Sequence, residues 1–115
     1  MKKTAIWVMI EKTYDEEEFM VKHIVCYKFA NPDEETIAKT KAVFESMIGR
    51  VPEVKSLAAG ADVLHSPRSF DMVLEVVFDS FEDMANYQKN EYHVSVVKKH
   101  VHSVVEKSVS VDYEF

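Results

Sequence analysis

Tyr87 and His93, a phenol and an imidazole six positions apart, are the side chains of this sequence best suited to acid–base chemistry. A neutral imidazole, with an ordinary pKa of about 6.5, can take a proton from a carbon flanked by two carbonyls. A phenol can donate to the oxyanion that forms. The pair would drive an aldol-type ring closure without metal or cofactor, so His93 is the expected general base and Tyr87 the expected oxyanion donor. The alternative is packing, with Tyr87 in an amphipathic core and His93 at a helix start, bonded to backbone.

His23 stands in an alternating run, Val21 to Phe29, that places it on one face with Val25 and Tyr27. It can be a core histidine bonded to backbone, or it can line the same space as the pair. His23, Val25, Tyr27 and Phe44 are the expected substrate-binding residues. His100 and His102 form no metal site on a helix, because two residues apart they point about 200° apart. With only Gly49 and Gly60 in the chain there is no glycine-rich phosphate loop.

The elements that must hold these residues follow from periodicity. Val21 to Phe29 is a strand. Asn31-Pro32-Asp33-Glu34-Glu35 is a helix start, with Asn31 as cap and Pro32 in the first turn, and Ile37, Phe44, Ile48 and Val51 follow at helical spacing until Gly49 and Pro52. Residues 53–65 read as a strand bent or bulged at Gly60. Phe70 to Phe78 reads as a central strand covered on both faces, with Asp71 and Glu75 its polar members. Ser80 to Asp83 caps a helix carrying Phe81, Met84 and Tyr87, and a polar break at residues 89–91 precedes a second piece with His93, Val97, His100 and Val104 in phase. Ser108 to Phe115 alternates as a last strand. The order β-α-β-β-α-β is the ferredoxin-like arrangement, an α+β fold with helices on one face of an antiparallel sheet.

Composition bounds the rest. The chain has 115 residues, 47% apolar and 30% charged, which fits one globular domain. A formal net charge of −6 without a Lys/Arg block argues against nucleic acid. Cys26 has no second cysteine to pair with, which fits a reducing compartment. The apolar run Ala5 to Ile10 stops too soon for a signal segment, and no stretch approaches the ~20 apolar residues of a membrane span, so no membrane partner and a cytoplasmic location are expected. Residues 1–19 differ in character from the rest and read as an extension, with residues 4–10 a possible edge strand; residues 20–115 form the domain. More strand surface exists than two helical segments can cover, and a homodimer packed sheet to sheet would bury it.

The segments MVKHIVCYKF (20–29), AGADV (59–63), LEVVFDSFEDM (74–84), the Tyr87/His93 pair and the closing VDYEF (111–115) together resemble the stress-responsive A/B barrel (Dabb) family, over Met20 to Phe115. The resemblance implies a dimeric α/β barrel. The family includes olivetolic acid cyclase, whose pattern carries over onto Tyr87, His93 and His23, and boiling-stable stress proteins that form assemblies. Two features depart from the family's habit. Its frequent His-Pro-x-His motif before the last helix is here Asn90-Glu91-Tyr92-His93, and its aromatic-Thr-His lead into the third strand is here Phe70-Asp71-Met72. Two functions are therefore expected: binding of a small apolar or carbonyl-containing molecule between sheet and helices, with cofactor-independent polyketide cyclase-like or isomerase-like lyase chemistry, or a non-catalytic stress or assembly role.

Overall fold

The computed structural model describes residues 19–115. The expected extension and edge strand over residues 4–10 lie outside them. Strand β1 (Val21–Phe29) leads to α1 (Glu34–Glu45), β2 (Ser56–Ala61), β3 (Met72–Phe78) and α2 (Phe81–Lys89). A π-helical turn, His93–Lys98, then runs directly into α3 (Lys99–Val104), and β4 (Val105–Glu114) closes the fold. The sheet order is β2-β3-β1-β4, every neighbouring pair antiparallel, as the ferredoxin-like reading requires.

Alternation along each strand divides the sheet into two unlike faces. Val21, Val25, Tyr27 and Phe29 of β1 meet Met72, Leu74, Val76 and Phe78 of β3 on the helix side, all buried. Phe44, Met47 and Val51 from α1 and the turn after it, and Tyr87 and Val97 from the later helices, complete this core. Each large apolar side chain taken fully out of water there contributes about 1.5–3 kcal/mol. The stacked Tyr27 and Phe44 rings, 5.2 Å apart, tie β1 to α1.

The opposite face carries Ile24 and Cys26 of β1, Val73 and Val77 of β3, and Val109, Val111 and Tyr113 of β4. Among the described residues no element covers it, and Val111 is 63% exposed. β3 is therefore central but buried on one side only, with Glu75 half-buried on the open face.

Several boundaries differ from the sequence reading. Asp33, not Asn31, caps α1: its carboxylate accepts from the Thr36 N–H at 2.7 Å, while the Asn31 amide donates to Asp33, so Pro32 precedes the cap. A carboxylate at that position also complements the helix dipole. The helix ends at Glu45, so Ile48 falls out of phase and is 58% exposed while Met47 turns inward. Gly49 adopts φ +85, the left-handed conformation that closes this turn. β2 is shorter than expected, and its pairing with β3 runs unshifted through Gly60 opposite Val73, so there is no bulge. Phe81 is exposed at the start of α2. β4 begins at Val105, ahead of the expected Ser108. Among the described residues no helix is long and apolar enough to cross a membrane.

Candidate functional site

The last helical segment is set by three side-chain contacts. The Asn90 Oδ1 accepts from the His93 N–H at 3.0 Å and so caps the turn that carries His93. The Ser46 and Tyr92 hydroxyls meet at 2.7 Å, and the Thr40 hydroxyl lies 2.7 Å from Nε2 of His100. The last two bonds hold the segment against α1 and its C-cap. The π-helical turn changes its phase: one extra residue per hydrogen-bonded turn shifts everything after it. His100, expected beside His93, faces α1 instead, and Val97, Lys98, Val101 and His102 turn toward the sheet.

Between that segment and the sheet lies a cavity of about 330 Å³. It brings together all six residues anticipated from sequence: His93, Tyr87, His23, Val25, Tyr27 and Phe44. Leu74, Val97 and Val101 add apolar wall, while Ser108, Ser110, Gln88, Lys98 and His102 add polar groups that sequence reasoning missed. The two serines come from β4, whose polar side faces the helices and whose valines face away.

Tyr87 and His93 are stacked, their ring centroids 4.0 Å apart. His23 stands edge-on to Tyr87 at 6.1 Å. The Nδ1 of His93 is buried without a hydrogen-bond partner. Its imidazole is not the ordinary one expected. Burial, reinforced by the nearby Lys98 charge and only partly offset by the Tyr87 carbonyl, pushes its pKa down to about 4. Burial likewise holds the Tyr87 and Tyr27 phenols well above their usual range, so both stay protonated donors.

His23 lines the cavity, and its Nδ1 bonds not backbone but the carboxylate of Asp112, its cross-strand partner on β4. Nothing in the local sequence links the two; only the β1–β4 register does. A carboxylate on Nδ1 orients the ring and leaves Nε2 as the other nitrogen. Among the described residues no group of three or more His, Cys, Asp or Glu side chains converges as a metal-ligand set.

The family model of the stress responsive A/B barrel domain (Dabb) matches residues 21–115. The chain belongs to this family. No curated protein matches it. Among solved structures, this Dabb chain is similar to a dimeric ferredoxin-like protein of unknown function from Bacteroides fragilis, at 26% identity and a TM-score of 0.73, covering 89% of this chain and 100% of that one. It is also similar to the hydroxynitrile lyase of Passiflora edulis, at 22% identity and a TM-score of 0.72, covering 84% and 93%. A Dabb protein from Mesorhizobium loti shares 16% identity with a TM-score of 0.71, covering 83% and 95%. The two more distant likenesses establish the ferredoxin-like fold alone.

Proposed function

We propose that this Dabb domain is a cytoplasmic homodimer that binds a small carbonyl-containing molecule in the cavity between sheet and helices and catalyses cofactor-free proton transfer at carbon. The observation that carries this reading is the convergence of His23, Tyr87 and His93 on one cavity. The cavity volume lies at the low end of small-molecule sites, about 300–1,000 Å³.

The chemistry divides by environment. His23 is the proton acceptor, because the Asp112 carboxylate holds the hydrogen on Nδ1 and leaves Nε2 to accept. His93 is a poor acceptor, since burial and Lys98 both oppose its protonation; it serves as a neutral hydrogen-bonding ring. In the step proposed, the C–H pair of a carbon flanked by two carbonyls moves into the carbon–carbon bond as the proton passes to His23. Charge gathers on the carbonyl oxygen, and the Tyr87 hydroxyl donates to it. The enolate carbon can then attack a second carbonyl of the same molecule, and the resulting alkoxide recovers the proton from His23. Run in reverse, the same parts give a lyase outcome, and return of the proton from His23 to a different carbon of the enolate system gives an isomerase outcome.

The open sheet face supports the dimer: Ile24, Val73, Val77, Val109 and Val111 form an apolar surface on the side away from the cavity. Its rim is cationic, with Lys22 over the Phe115 ring and Lys28 and Lys107 beside Phe70. The dimeric Bacteroides fragilis relative is consistent with that assembly. A non-catalytic binding role draws on one observation, the close stacking of Tyr87 on His93, which also serves packing. Thermal-shift titration with small β-dicarbonyl compounds, followed by substitution of Val97 with Trp to fill the cavity, tests binding: stabilisation in the parent protein that disappears on filling supports the site, and its absence for every compound removes it.

A further inference from the structure

In a regular 3.6-residue helix, the residue five positions after His93 would point roughly 140° away from it. The π-helical turn His93–Lys98 rotates that residue back, so Lys98 lines the same cavity as His93. One turn further on, His102 lines it too. The lining holds a lysine and three histidines, His23, His93 and His102, and no carboxylate. Asp112, the acid nearest in bonding to this group, is engaged by His23 and is not part of the lining.

Lys98 is also unspent. An ammonium carries three donors, and its only protein hydrogen bond among the described residues is a long one, 3.5 Å, to the Gln88 carbonyl. No described carboxylate pairs with it. In a chain of formal net charge −6, a cation that lines a cavity and has no carboxylate partner among the described residues is a local feature set against the general balance. Its field reaches the ring, being the second cause of the lowered His93 pKa.

We propose that Lys98 makes this a site for organic anions, the ligand being a small oxo-carboxylate whose carbonyl lies at His23 and Tyr87 and whose carboxylate lies against the Lys98 ammonium. This deepens, and rests on, the reading of the cavity as a ligand site. The hydrocarbon between the two polar ends packs on Val25, Phe44, Val97 and Val101. Ser108 and Ser110 supply hydroxyls along the β4 wall.

The test is calorimetric titration of the full chain with benzoylpropionate and with its methyl ester, which keeps the ketone and ring and removes the charge. The acid should bind about tenfold more tightly, the scale of one charge-assisted contact, and higher ionic strength should narrow the gap. Lys98→Met, or Lys98→Gln should that variant fold better, should bring the acid down to the ester's affinity and leave the ester unchanged, while Lys98→Arg keeps the preference. Equal affinities in the parent protein, or a preference that survives Lys98→Met, overturn the anion anchor and leave the cavity standing. Failure of both compounds to bind removes the cavity reading and the anchor together.

Discussion

Asp112 on β4 and His23 on β1 are direct cross-strand partners, and the carboxylate of one bonds Nδ1 of the other beside the cavity. The carboxylate fixes the hydrogen on Nδ1, so nitrogen-15 NMR should show a single neutral tautomer of His23. In Asp112→Asn the tautomers should mix, while stability moves by only about 1 kcal/mol or less, as for a partly exposed pair. An unchanged tautomer in the variant would mean that Asp112 does not orient the ring.

His93 makes the stability of the fold depend on pH. Its pKa is lowered from 6.5 to about 4 in the folded chain, so between those values the unfolded chain binds more protons. Stability from this group is fully present above pH 6.5 and is lost as pH falls through 4. Burial of His100 lowers its pKa as well and adds in the same direction. Urea unfolding should show His93→Gln losing about 2 kcal/mol less than the parent protein over that interval. Equal pH slopes for the two would contradict the lowered pKa.

Tyr87 separates chemistry from packing. The ring is fully buried against Phe78 and His93, so Tyr87→Ala should cost about 3–5 kcal/mol. Tyr87→Phe keeps the ring and should cost less than about 1 kcal/mol in stability, while turnover of any substrate should fall by about 10² or more. Parallel losses of stability in both variants would assign the hydroxyl to the fold.

The outer sheet face should respond to charge. Val111→Lys places an ammonium on the exposed apolar surface, and light scattering should show a dimer for the parent protein and a folded monomer for the variant. A parent protein that is monomeric at micromolar concentration would remove the sheet-to-sheet assembly.

The sheet was legible because period-two alternation marks Val21 to Phe29 and Ser108 to Phe115, and three of the six anticipated lining residues, His23, Val25 and Tyr27, follow from the face that β1 presents. The start of α1 was legible but its cap was not, since Asn31 and Asp33 are both good caps and only the observed turn selects one. The π-helical turn left no local signature. His93, Val97, His100 and Val104 fit an unbroken 3.6-residue pattern, and the extra residue that sends His100 to Thr40 and Lys98 to the cavity comes from packing against α1. Asp112 looked like one polar member of an alternating strand; its partner lies 89 residues away and is found only through register.

Solvent exchange at carbon is the most direct test of proton transfer in this cavity. A β-dicarbonyl compound that binds is incubated with the protein in deuterium oxide, and loss of the proton signal between its carbonyls is followed by NMR. The account predicts exchange faster than buffer by about 10² or more, reduced to the buffer rate in His23→Gln and slowed in Tyr87→Phe. A compound that binds beside His23, Tyr87 and His93 and exchanges no faster than in buffer would contradict catalysis and leave a binding protein.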